Sequence, residues 1–270
     1  METIGMMGGF YDSSAPSMRL LGADDPPPCS VQNSGGQSPI LILGDHAGRE
    51  IPERLGGLGL AASSLDMHIA WDIGAGAFGA LLSDRLDAAF IAQRYSRLVI
   101  DCNRDPERSD SILAKSDGVQ IPGNQGLSAD DLAARRREIF DPYHASIAGC
   151  LASRRDGGRR TVVLALHSFA PSLGGFERPW RFGVLHLGQS PFSGAVLARL
   201  QTAIGAAEVG DNEPYQMDGT DYTVPRHAVS SGWDYLELEV RQDLLTDSAG
   251  QSESADLLVP VLLGALSEVT

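Results

Sequence analysis

The chain has 270 residues, with 35 Asp and Glu against 21 Lys and Arg and a formal net charge of −14. That charge repels phosphate backbones and anionic lipid, Lys115 is the sole lysine and no Lys/Arg cluster stands out, so neither nucleic acid nor a membrane is an expected partner. No apolar run reaches the roughly 18 residues of a membrane span, no signal-peptide pattern opens the chain, and Cys29, Cys102 and Cys150 suit neither a disulfide framework nor a CxxC metal site, which makes the cytoplasm the expected compartment.

Residues 1–37 are rich in Gly, Ser, Pro and Met, carry Pro26, Pro27 and Pro28 in a row and show no periodicity, so they read as a disordered leader. A single domain is expected over 38–270. It opens with the apolar run Pro39-Ile-Leu-Ile-Leu43, a buried strand ending at Gly44, with Asp45 and His46 directly after it. Similar runs at 88–92, 98–100, 161–166 and 182–187 read as further strands. Helical patterns lie between them at 73–86, at 129–154 with Ser128 as N-cap and a kink at Pro142, and at 193–206. Near the end, Tyr235-Leu-Glu-Leu-Glu-Val-Arg241 alternates strictly and presents Glu237 and Glu239 on one face, as a catalytic strand or as an edge strand with a solvated face. Residues 256–266 close the chain as a helix kinked at Pro260. Strands alternating with helices imply an α/β domain with a largely parallel or mixed sheet.

Gly74-Ala-Gly76-Ala-Phe-Gly79 matches the GxGxxG fingerprint, but no buried strand leads directly into it, so close helix packing is the preferred explanation. No GxSxG nucleophile elbow occurs. His46 and His167 stand where strands end, the place where α/β sheets build sites; two imidazoles and a carboxylate with an open position form the ligand set of a catalytic zinc site. Hydrogen-bonded structural histidines are the alternative. The stretch Arg94-Tyr-Ser-Arg97-Leu-Val-Ile-Asp101-Cys-Asn103-Arg104 ends in groups able to grip a carboxylate, or to form an internal salt bridge with one of the many acidic side chains.

Taken in order, Gly44-Asp-His-Ala-Gly-Arg-Glu-Ile-Pro52, His68-Ile-Ala-Trp-Asp-Ile-Gly-Ala75, the 94–104 stretch, Ile121-Pro-Gly-Asn124, Leu166-His-Ser-Phe-Ala-Pro171, Asp221-Tyr-Thr-Val-Pro-Arg226 and Glu237-Leu-Glu-Val-Arg-Gln-Asp243 resemble the N-formylglutamate amidohydrolase family. The resemblance implies a three-layer α/β/α domain with a central mixed sheet, zinc carboxypeptidase-like (phosphorylase/hydrolase-like). It also implies one zinc ion and hydrolysis of a small anionic N-formyl or N-acyl amino acid to formate and the free amino acid. Carried over by residue, it makes His46 and His167 ligands, with Asp72 as third ligand and Glu50 as runner-up. The Glu-Val-Arg at 239–241 resembles the carboxypeptidase strand that carries the general base and so points to Glu239. Asn103 and Arg104 resemble the pair that holds the substrate carboxylate, with Arg97, Arg226 and Tyr222 as further pocket residues. A zinc hydrolase of other N-acyl amino acids or peptides, and a non-catalytic anion-binding protein on the same scaffold, are the alternatives.

Overall fold

The computed structural model describes residues 19–188 and 190–269. In chain order its main elements are β1 (Cys29–Gln32), β2 (Ile40–Gly44), α1 (Ala75–Leu86), β3 (Ala89–Gln93), α2 (Ala129–Arg135), α3 (Asp141–Asp156), β4 (Val162–Phe169), β5 (Phe182–Leu185), α4 (Pro191–Ile204), β6 (Val209–Asp211), α5 (Thr223–His227), β7 (Asp234–Arg241) and α6 (Ser248–Glu268). These strands form one seven-stranded sheet in the order β1-β3-β2-β4-β7-β5-β6. β2, β3, β4 and β7 run parallel, β1 pairs antiparallel with β3, and β5 pairs antiparallel with β7, so the sheet is mixed.

Alternation along the strands builds the two faces. Ile40, Ile42, Leu164, Leu236 and Leu238 point to the face covered by α1, α4 and α6, where Phe78, Val196 and Leu262 complete the core. Leu41, Leu43, Val163 and Ala165 point to the other face, against Ile139, Tyr143 and Ile147 of the helical run 129–156. Three layers follow because every central strand is buried on both sides. Gly76 and Gly79 of the fingerprint-like string serve this packing. A Cβ on Gly79 would lie 2.5 Å from the Phe90 ring, and one on Gly76 2.7 Å from the Ala47 carbonyl oxygen.

Four sequence expectations change. Residues 1–18 lie outside the described residues, but 19–37 do not behave as a disordered leader. β1 pairs with β3, Leu20 is buried, Glu138 accepts hydrogen bonds from the Leu20 and Leu21 amides, and Tyr95 donates from its hydroxyl to the Pro26 carbonyl at 2.7 Å. The ordered chain therefore begins before residue 38; the prolines hid it because they remove periodicity without removing packing.

Residues 98–100 do not form a strand. Side chains satisfy two of their carbonyls, Asn124 Nδ2 donating to Leu98 O at 2.8 Å and the buried Arg135 Nη1 donating to Val99 O at 2.9 Å. The edge-strand reading of 235–241 also falls, since β7 lies between β4 and β5 with Glu237 and Glu239 buried. Finally, the break expected at Pro142 is a π-helical turn, Arg136–Phe140, just before the proline, whose ring cannot coexist with regular helix around the carbonyl four residues back.

His144 is buried with His227, the two rings nearly parallel at an interplanar angle of 10°. Its Nε2 donates to the Cys102 carbonyl at 3.0 Å, so Nδ1 must accept, and His227 Nε2 donates to it at 2.9 Å. Burial pushes both imidazoles towards neutrality, His227 down to about 4 with His144 adding to the effect.

Two predictions follow from this architecture. Deleting residues 1–36 removes β1 and the Leu20 anchor, and burial of one leucine alone is worth about 1.5–3 kcal/mol, so thermal unfolding should drop by roughly 5–10 °C. A truncated chain melting with the full-length one would show that β1 is dispensable. A depressed histidine pKa stabilises the fold above the unfolded value near 6.5 and loses that stabilisation as pH falls towards 4. The destabilisation caused by His227→Gln, measured by urea unfolding, should therefore shrink by about 2 kcal/mol between pH 7.5 and 5. A pH-independent difference would refute the neutral pair.

Candidate active site

β3 lies to one side of β2 and β4 to the other, so the chain reverses its direction of winding between β2 and β4. The carboxyl ends of strands flanking such a reversal leave a crevice. Here it is a cleft of about 420 Å³ whose lining includes His46, Asp72, His167, Glu237, Glu239 and Arg104. His46 follows β2 by two residues and His167 is the sixth residue of β4, pointing to the face carrying Val163 and Ala165. Just past His46 the chain crosses residue 94 so closely that a Cβ on Gly48 would stand 2.1 Å from the Arg94 carbonyl oxygen. That contact fixes where the loop leaves the sheet.

Asp72 comes from the loop before α1. Its amide donates to the His46 carbonyl at 2.9 Å, and its Oδ2 accepts from His167 Nδ1 at 2.9 Å and from the Ser168 amide at 3.2 Å. His46 Nδ1 lies 3.6 Å from the same oxygen and has no hydrogen-bond partner among the described residues. The ligating atoms of His46, Asp72 and His167 all fall within 4.8 Å of one another, and all three residues are buried. Glu50 is outside this group, exposed and held by a backbone bridge to Tyr95. Between the two candidate carboxylates, the fold brings Asp72 to the histidines.

Behind the imidazoles stand two carboxylates that sequence reading did not assign. Asp101 Oδ1 accepts from His46 Nε2 at 2.7 Å, and Asp45 Oδ2 lies 3.4 Å from His167 Nε2. Asp101 also accepts from Arg97 Nη2 at 2.7 Å, while Arg97 Nη1 stands 3.5 Å from Asp72. With Nε2 of each ring facing a carboxylate, both Nδ1 atoms turn towards Asp72, where a cation could take the place of a proton on them, the outer arrangement of histidine–metal sites. Burial opposes charge throughout, yet the surrounding opposite charges win. Asp72 and Asp101 are held far below the usual carboxylate range, chiefly by His46 and by Arg97 respectively, and His46 and His167 are pushed up by their carboxylate neighbours. Asp45, Asp72 and Asp101 with Arg97 leave two negative charges to be balanced, which two protonated imidazoles or one divalent cation can supply. The residues present fit a single such ion.

β7 sets the two glutamates. Glu239 pairs in register with His167, and Glu237 sits two residues deeper, opposite Ala165 and Leu185. Burial raises both, Glu239 to about 7 and Glu237 to about 8. Oε2 of each has no hydrogen-bond partner among the described residues.

Asn103 and Arg104 both line the cleft, but part of each is already engaged. Asn103 Oδ1 accepts from the Tyr222 and Thr223 amides at 3.0 and 2.9 Å, and Arg104 Nη1 donates to Asp221 at 3.1 Å. Arg97, though it borders the cleft, is committed to Asp101 and Asp72. Tyr222 packs its ring against Phe140 and His144, and Arg226 is exposed; neither lines the cleft. A further side chain that sequence reading missed is Tyr215, whose hydroxyl oxygen accepts from the buried Arg178 at 3.1 Å and whose ring lies under that guanidinium, 4.7 Å away. No short motif marks it. Asp45 and Asp101, by contrast, sit inside the quoted strings next to assigned residues.

The sequence pattern of the N-formylglutamate amidohydrolase family (FGase) matches residues 38–246. The crystal structure of gene product Atu2144 from Agrobacterium tumefaciens superposes with a TM-score of 0.89 at 35% identity, covering 93% of this chain and 99% of that one. The crystal structure of N-formylglutamate amidohydrolase from Ralstonia eutropha JMP134 superposes with a TM-score of 0.62 at 18% identity, covering 89% and 97% respectively, and shares the fold. No curated protein matches.

The two candidate third ligands separate by metal content. After loading with zinc and dialysis, wild-type protein and Glu50→Gln should each retain about one ion per chain, while Asp72→Asn should bind at least 10-fold more weakly. Equal retention by Asp72→Asn and wild type would place the ion elsewhere.

Proposed function

The chain belongs to the N-formylglutamate amidohydrolase family, and from that membership and the geometry of the cleft we propose that it is a single-zinc hydrolase of N-formyl amino acids, releasing formate and a free amino acid. One observation carries the reading: a buried His46–Asp72–His167 cluster, two positive charges short of balance with its surroundings, stands beside a glutamate whose pKa is raised to about 7. A zinc ion held by those three side chains would supply Lewis-acid chemistry, polarising the formyl carbonyl and acidifying water.

The chain's own residues supply the rest. Glu239, desolvated and without a hydrogen-bond partner on Oε2 among the described residues, is suited to take the proton of an attacking water and to return it to the amide nitrogen as the C–N bond breaks. A carboxylate with a pKa near working pH moves a proton in both directions at low cost, whereas an ordinary exposed glutamate is too weak a base. Asp101 and Asp45 hold the imidazoles in orientation. Arg104 uses Nη1 to bind Asp221, so its outer edge is available to a substrate carboxylate. The Tyr215 hydroxyl oxygen already accepts from Arg178, which leaves its hydrogen to donate into the cleft.

Glu239→Gln keeps shape and burial but removes the base. It should fold and retain zinc while kcat for formate release falls by about 10²–10⁴. Turnover within a few-fold of wild type would remove Glu239 from the chemistry, and if Glu237→Gln abolished turnover instead, the two roles would be exchanged.

A further inference from the structure

Arg178 enters the mechanism above only as the donor to the Tyr215 hydroxyl, yet its side chain belongs to a residue 7% exposed and, among the described residues, no carboxylate pairs with it. Ions so removed from water are ordinarily matched by an opposite charge. Both of its side-chain hydrogen bonds leave from Nη1, to the Ala170 carbonyl at 3.2 Å and to the Tyr215 hydroxyl at 3.1 Å, and neither acceptor is charged. Nε and Nη2 make none among the described residues.

The backbone fixes where this cation stands. After β4 the chain turns through a short hairpin, Ser172–Leu173 against Phe176–Glu177, and returns so that the Arg178 amide donates to the Pro171 carbonyl at 2.8 Å. The Arg178 carbonyl accepts from Arg241 Nη1 at 3.4 Å, which ties the residue to the end of β7 as well. The guanidinium therefore sits at the carboxyl end of the strand that carries His167. Its neighbours Phe169, Ala170 and Tyr215 all line the cleft. Burial, with the Glu239 charge adding to it, pushes the Tyr215 phenol up, so the hydroxyl keeps its proton to donate.

The other arginines bordering the cleft are committed, Arg97 to Asp101 and Asp72 and Arg104 through Nη1 to Asp221. The free edge of Arg104 serves one carboxylate, the α-carboxylate of an N-acyl amino acid. A second carboxylate needs a second cation, and Arg178 is the one left without an anion. Resting on the reading of the reaction as N-formyl amino acid hydrolysis, we propose that Arg178 is a specificity-determining residue: with the Tyr215 hydroxyl it receives a carboxylate carried on the substrate's side chain. The bound acid supplies the counter-ion that the protein leaves out, in charge-assisted hydrogen bonds. An uncharged amide of the same shape leaves the guanidinium unmatched and is rejected.

Substrates that differ in charge but not in shape test this. Zinc-loaded wild-type protein should release formate from N-formyl-L-glutamate with kcat/KM about 10-fold or more above that for N-formyl-L-glutamine. Arg178→Gln should bring the ratio within about 3-fold of unity, the loss lying mainly in KM for the acid, because the side chain does not react. Tyr215→Phe keeps the ring beneath the guanidinium, should cut the ratio by about 3-fold or more, and decides the matter if Arg178→Gln does not fold. A wild type that treats acid and amide alike, or variants that slow both substrates by the same factor, overturn the proposal. Calorimetric titration with free L-glutamate and L-glutamine reads the subsite without the reaction. An Arg178-dependent preference for L-glutamate without formate release from either N-formyl substrate would sink the proposed reaction and keep the subsite; formate release with no preference for the acid would do the reverse.

Discussion

Asp72 sits where a carboxylate has no business unless something positive is brought to it. It is buried, it joins the end of β2 to β4 through the His46 carbonyl and the Ser168 amide, and it lies between two imidazoles. With Asp45 and Asp101 behind those rings and Arg97 as the nearby guanidinium, the cluster lacks two positive charges. Desolvation makes that imbalance costly. The positions of His46, His167 and the Arg97–Asp101 turn follow from this single demand, and so does the cluster's suitability for a divalent ion.

The sheet topology turns the demand into a site. Because winding reverses between β2 and β4, the histidines emerge side by side, and β7, next to β4, brings Glu239 into register with His167. One strand then supplies two glutamates of the same residue type at different depths. Burial dominates both and His167 is the leading charged neighbour of each; beyond it Glu239 has Asp72, His46 and Arg97, whereas Glu237 has Asp221, Glu239 and Asp45. Two buried carboxyls in different surroundings are thereby placed two positions apart on a single strand.

Much of this could be read from the residues. The alternation at 235–241 and the apolar run at 39–43 express burial directly, and histidines at strand ends follow from the geometry of α/β sheets. Other parts were hidden because side chains replace the regular pattern. Residues 98–100 look like a strand, but Asn124 and Arg135 take over their carbonyls; β1 is concealed among prolines. The choice of Asp72 over Glu50 depends on a loop folding back to the His46 carbonyl, a contact that spacing does not encode. Arg226 and Tyr222 occupy a family-like string, but the helical turn at 223–227 directs one to solvent and packs the other against Phe140 and His144.

X-ray absorption at the zinc edge of the reconstituted protein tests the central claim most directly, because it reports ligand type without depending on turnover. The account predicts one ion per chain with two imidazole nitrogens and oxygen donors at about 2.0–2.2 Å, and loss of one imidazole contribution in His46→Ala. Sulfur ligation through Cys102, a second ion, or a spectrum without imidazole would contradict it.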